Sequence, residues 1–160
     1  MNTFIVAFTG HRSYQHEVAV ELDNSIVELY NEGARTFRVG MAEGFDLAAA
    51  EAIIRLRSTH DDIRLEAYIP YPTFANNFSA TNAIRYGAII AQCDSVTYAM
   101  SGYHSSVFML RNDMLVDGAS VVVAWWNGSR SGTGYTVGRA RSNKSRIVNL
   151  YPQAQLEITF

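Results

Sequence analysis

Cysteine is almost absent. Cys93 stands alone, so no internal disulfide framework is expected, and the four histidines (His11, His16, His60, His104) lack any paired metal-ligand spacing, so no metal site is expected. Lysine is equally scarce: twelve of the thirteen basic residues are Arg and only Lys144 is Lys, which leaves Schiff-base chemistry to one residue in a polar segment. No apolar run is long. Phe4 to Phe8 and Val121 to Trp126 fall far short of the roughly 20 residues that span a bilayer, so no membrane partner is expected. Residues 1–8 carry no basic leader before Thr9-Gly10-His11-Arg12, which argues against a signal peptide and makes cytoplasm the expected location. An excess of positive charge is also missing. Fifteen Asp+Glu against thirteen Lys+Arg give a formal charge of −2, so no global field draws the chain to nucleic acid, and the balance argues against a nucleic-acid partner.

What is present is a 160-residue chain, 48% hydrophobic and 18% charged, enough for one compact domain over 1–160 with a sizeable core. Short β-rich runs alternate with segments of helical spacing, the pattern of a parallel sheet with crossover helices. Strands are expected at 3–8, 36–39, 64–69, 95–99, 119–126 and 146–150. Val18, Leu22, Ile26 and Leu29 mark a first helix ending near Gly33, and Leu47, Ala50 and Ile54 a second. A long helix is predicted over 74–92, another over 104–117 with Val107, Leu110 and Met114 inward, and a last one from Gly132 to about Lys144. The fold class is therefore α/β, Rossmann-like and doubly wound, with a mostly parallel sheet of five to six strands and helices on both faces. The alternating tail Leu156, Ile158, Phe160 suggests an edge strand or a subunit contact, hence a possible homodimer.

Seven of the eleven glycines (Gly10, Gly40, Gly44, Gly102, Gly128, Gly132, Gly134) follow predicted strands. In an open parallel sheet those ends share one edge, where helix N-termini point free N–H groups at ligands. Glycine there lets backbone amides approach an anion without a lysine, so a phosphate or pyrophosphate is the expected guest; tight turns alone account for some of these glycines. Thr9-Gly10-His11-Arg12 offers a hydroxyl, an imidazole that either transfers protons or caps a turn, and a guanidinium able to fork a phosphate. In Gly40-Met41-Ala42-Glu43-Gly44-Phe45-Asp46, Asp46 is placed to cap the second helix, and Glu43 either accepts ribose hydroxyls, acts as a base or simply faces solvent from the turn. Arg111 and Asn112 sit mid-helix. The segment 125–136 adds Trp126, Gly128, Ser129, Gly132, Thr133, Gly134, Tyr135 and Thr136; strand alternation buries one of Trp125 and Trp126 and leaves the other either to stack on a base or to close the sheet edge. From Gly118 through Leu156 there is no acidic residue, against five basic ones.

Phe8-Thr9-Gly10-His11-Arg12, Val39-Gly40-Met41-Ala42-Glu43-Gly44-Phe45-Asp46, Arg111-Asn112 with Asp117, and Gly132-Thr133-Gly134-Tyr135-Thr136 occur in that order on successive strand ends. This order resembles the SLOG superfamily, most closely its YpsA-like branch, whose other branches include the LOG phosphoribohydrolases and the DNA-processing protein DprA. The resemblance implies a Rossmann-like domain binding nucleotides or derivatives such as AMP, ADP-ribose or NAD relatives, with no further cofactor required. LOG enzymes cleave an N-glycosidic bond with an Arg, matched here by Arg111, and a Glu after Gly-Thr, which is missing because Gly132-Thr133 is followed by Gly134, Tyr135, Thr136 and Val137. The leading expectation is therefore a sensor or sequestering protein. The alternatives are an N-glycoside hydrolase or ribosyl-transfer enzyme using Arg111 with Glu43 or Asp46, and a DprA-like single-stranded DNA-binding protein.

Overall fold

A computed structural model describes residues 3–152, so the tail at 155–160 lies outside the described residues. Six strands and five helices alternate: β1 (Ile5–Gly10), α1 (Ala19–Asn31), β2 (Thr36–Val39), α2 (Phe45–Arg57), β3 (Arg64–Ile69), α3 (Ala80–Ile90), β4 (Ser95–Tyr98), α4 (Val107–Val116), β5 (Val121–Trp125), α5 (Gly132–Ser142) and β6 (Arg146–Asn149). All five strand pairings are parallel, in the order β4-β3-β2-β1-β5-β6. The fold is thus an α/β, Rossmann-like sheet. The chain builds outward from β1 to β4, then crosses back to lay β5 on the free side of β1, and strand order reverses there. No helix among the described residues is long and apolar enough to cross a membrane.

Strand alternation divides the core into two unequal layers. Val6 and Phe8 of β1, Phe37 of β2 and Val121, Val123 and Trp125 of β5 join the apolar faces of α1 and α2 in one large cluster. Each such fully buried Phe contributes about 1.5–3 kcal/mol through removal from water. On the opposite face, Ala7 and Val122 meet Leu115 and Val116 of α4, Ala119 just before β5, and Ala140 of α5. Small side chains there let α4 and α5 approach the sheet and each other closely.

Two helical expectations are corrected. The segment 74–92 is a short 3₁₀ stretch, Phe74–Asn77, followed by α3, because Ser79 is extended and its side chain accepts the Asn82 N–H at 3.2 Å. A cap in mid-segment starts a new helix. In α4 the inward face is Val107, Arg111 and Leu115, while Leu110 and Met114 are only half-buried. The charged Arg111 lies on the buried face, which turns that face away from the Leu110 and Met114 positions that apolar periodicity selects.

Candidate functional site

The four motifs meet at the carboxyl edge around the reversal between β1 and β5. The first loop is tied on both sides. The His11 carbonyl accepts the N–H of Tyr14 and of Phe45, each at 3.3 Å, and its Nε2 accepts the Asn127 N–H at 3.1 Å. An accepting Nε2 places the ring proton on Nδ1, and burial lowers the His11 pKa, so the imidazole is held neutral. Arg12 is exposed and has no hydrogen-bond or ion-pair partner among the described residues.

The second motif turns sharply, with Met41 (φ 67°) and Gly44 (φ 86°) both left-handed. Asp46 does not cap α2, correcting the expectation. Gly44 occupies the cap position without a side-chain bond, and Asp46 lies in the first turn, 5% exposed, where its Oδ2 accepts the Ala42 N–H at 3.1 Å. Its Oδ1 is buried without a partner. From α4, the buried Arg111 donates through Nη1 to the Gly40 carbonyl and, at 3.4 Å, to that of Tyr68, and through Nε to Asn112 Oδ1 at 2.8 Å. A Cβ on Gly40 would sit 2.9 Å from Asp46 Oδ2 and 3.2 Å from Arg111 Nη1. Burial pushes the Asp46 carboxyl up to about 6 despite the opposing pull of Arg111 and of the Ala42 amide, and burial lowers the Arg111 pKa. Glu43 faces elsewhere: its Oε2 accepts from Asn82 Nδ2 at 2.7 Å and from the Ser79 N–H at 3.3 Å.

At α5, the Ser131 side chain accepts the Gly134 N–H at 3.1 Å and its carbonyl accepts that of Tyr135 at 2.9 Å. Among the described residues the N–H groups of Gly132 and Thr133 have no acceptor, as holds for the first amides of a helix unless something outside it accepts them. Thr136 is fully buried and donates to the Gly132 carbonyl at 2.9 Å. Trp125 is the buried tryptophan; Trp126 is half-buried, and its Nε1 donates to the Ser129 carbonyl at 2.8 Å.

A cleft of about 360 Å³ gathers most of these groups: Thr9 and Gly10 from the end of β1 and His11 and Arg12 from the loop after it, Ala42 and Asp46 from the second motif, Phe108, Arg111, Asn112 and Leu115 from α4, and Ser131, Gly132 and Thr133 at α5. Trp126, Gly128, Ser129, Gly134 and Tyr135 line an adjoining cavity with Arg130 and Ser131, the last shared with the cleft; it too measures about 360 Å³. Glu43 lines a third, of about 250 Å³. Gly40, Met41, Gly44 and Thr136 line none of these and serve packing instead. A Cβ on Gly44 would meet the Arg12 carbonyl oxygen at 2.5 Å, one on Gly10 the Phe45 ring at 2.4 Å, and one on Gly134 the Ser129 carbonyl oxygen at 2.7 Å, whereas Gly132 faces open space. Sequence reasoning missed Phe108 and Leu115. The spacing 108, 111, 112, 115 is one helical face and was legible once Arg111 was taken as its centre. Among the described residues no cluster of three or more His, Cys, Asp or Glu side chains could hold a metal ion.

The geometry can be set beside known proteins. The model of the YspA SLOG family (YpsA) matches residues 5–157. The UPF0398 protein YpsA of Bacillus subtilis is 20% identical over 156 residues, covering 89% of this chain and 87% of that protein, and a UPF0398 protein of Bacillus cereus is 19% identical over 160 residues, covering 92% and 87%. In fold, the chain is similar to DNA processing protein A (DprA) of Streptococcus pneumoniae, with TM-score 0.68, 21% identity and 90% of this chain covered. It is likewise similar to DprA of Helicobacter pylori, described for its single-stranded DNA binding mode, with TM-score 0.66, 17% identity and 91% covered. The chain spans 49% and 64% of those two DprA chains. The expectation against a nucleic-acid partner is corrected by this finding. A fold shared with a single-stranded DNA binder means that a net charge of −2 is no ground for setting nucleic acid aside.

Proposed function

This chain belongs to the YpsA SLOG family, and from that premise we propose that it binds a nucleotide or nucleotide derivative by its phosphate in the cleft between β1 and α5. The observation that carries the reading is a convergence: the open amides of Gly132 and Thr133, the unpaired guanidinium of Arg12 and the unpartnered Asp46 Oδ1 belong to residues of one cleft at the strand-order reversal. Phosphate oxygens accept the two amides on the axis of α5, whose dipole favours an anion, and Arg12 closes over them from the other side. Asp46 Oδ1 accepts from a ribose hydroxyl. Calorimetry with AMP, ADP-ribose and NAD tests this. Gly132→Leu, which meets nothing within 4 Å at its Cβ, is expected to remain folded and lose binding; undiminished affinity rejects the cradle. Ligand-observed NMR separates binding from N-glycoside cleavage. Broadened ligand signals alone indicate a sensor or sequestering protein, while free base, lost in Asp46→Asn, indicates a hydrolase whose raised carboxyl protonates the leaving group.

A strand of single-stranded DNA offers the same phosphates, and one observation favours it as a second reading. Arg141 lies 5.8 Å over the Trp126 ring, and the cavity beside Trp126 is lined by the exposed Arg130, so cations adjoin an aromatic face next to the cleft. A gel shift with a short oligonucleotide that weakens steeply with salt supports it; no shift at low salt removes it.

A further inference from the structure

A further cavity adjoins the phosphate cleft. The slot of about 250 Å³ has aromatic walls, Tyr71, Phe74, Phe78 and Phe108, and its polar groups are Glu43, Asn77 and Arg12. Arg12 and Phe108 also line the phosphate cleft, so the two spaces adjoin. The rings are not a closed core. Phe74 is buried, at 5.3 Å from Phe78 and 6.0 Å from Phe108, centroid to centroid, but Tyr71, Phe78 and Phe108 are each half-buried. Tyr103, 70% exposed, stands edge-on to Tyr71.

The carboxylate of Glu43 is the second observation. Both bonds it accepts from the described residues, Asn82 and Ser79, go to Oε2, which leaves Oε1 without a donor among them beside aromatic surface. Fixing one oxygen aims the other. The exposed Asn77 amide has no hydrogen bond among the described residues and adds a donor and an acceptor. Flat apolar walls with a fixed acceptor suit a planar heteroaromatic ring that carries an N–H, and they offer little to a bare sugar phosphate.

We infer that this slot is the base subsite of the nucleotide whose phosphate lies in the adjoining cleft, and that Glu43 Oε1 selects bases bearing an exocyclic amine. The inference rests on the phosphate reading above and assigns Glu43 to recognition. Arg12, shared by both spaces, sits between base and phosphate, so the ligand is a nucleoside phosphate spanning the two.

The test is calorimetry of the wild-type chain with three probes: AMP, ribose 5-phosphate, and purine riboside 5′-monophosphate, which lacks the amine. Base stacking of ordinary strength makes AMP bind roughly 5- to 150-fold more tightly than ribose 5-phosphate. Purine riboside monophosphate falls between them, and Phe78→Ala, checked for folding by circular dichroism, brings AMP towards ribose 5-phosphate without changing the latter. Equal affinity of AMP and ribose 5-phosphate for the wild type overturns the base subsite and leaves the phosphate cleft standing. If AMP exceeds ribose 5-phosphate but equals purine riboside monophosphate, the role of Glu43 is overturned. If neither AMP nor ribose 5-phosphate binds, the phosphate reading itself falls and this inference with it.

Discussion

Replacing Asp46 by Asn probes a buried carboxyl. The carboxyl is buried, shares the end of β2 with Arg111, and has its pKa pushed from 3.8 to about 6. Between those values the unfolded chain has released a proton that the folded chain still holds, so stability falls as pH rises through this window. A displacement of that size corresponds to roughly 3 kcal/mol at neutral pH. Asn keeps an oxygen for the Ala42 N–H and cannot ionise. Urea denaturation of both proteins from pH 3.5 to 8 is therefore expected to show a stability difference near zero at the acid end. It grows in favour of Asp46→Asn to roughly 3 kcal/mol above pH 7. Other titrating groups cancel in the difference. A flat difference refutes the reasoning, and so does a variant destabilised by about 3–5 kcal/mol at pH 7, because that is the cost of stranding Arg111 after removal of a true ion-pair partner.

Gly10→Ala and Gly44→Ala are each expected to lose about 1–3 kcal/mol in urea denaturation, the first by pressing on the buried Phe45 and the second by pressing on the Arg12 carbonyl with an unfavourable positive φ. Gly132→Ala changes stability by less than either. In an NMR titration, His11 is expected to show a midpoint below 6.5, and loss of that depression on unfolding identifies burial as its cause. Burial raises the Cys93 thiol to about 11, so its reaction with a disulfide reagent at pH 8 is expected to be about a hundredfold slower in the folded chain than in urea. Equal rates contradict the burial.

The alternation of strands and helices was legible because each strand is a short apolar run and each helix carries a periodic apolar face; α1 shows this in Leu22, Ile26 and Leu29. The edge on which the four motifs gather followed from parallel strands. What could not be read was contact between residues distant in sequence. Arg111 is buried because the carbonyls of Gly40 and Tyr68, 71 and 43 residues away, accept from it, and no local pattern announces that. The engagement of Glu43 by Asn82 and Ser79 is equally remote. The glycines misled for a different reason. A missing side chain is required both where a ligand approaches and where protein packs, and only coordinates separate Gly132 from Gly10, Gly44 and Gly134.

The crossing back of the chain from β4 to β5 also sets the order in which the molecule is completed. Val6 pairs with Val121, so one side of the central strand waits for residues made more than a hundred positions later. Until they arrive, β1 presents an apolar edge with unpaired amides and carbonyls, the geometry most prone to pair with another chain. Synthesis is therefore most exposed to aggregation while β1 to β4 are made and β5 is not. The cleft cannot exist in that interval, because α5 supplies one of its walls. Any ligand held there binds only finished molecules, and its concentration in the cell pulls the last folding step to completion.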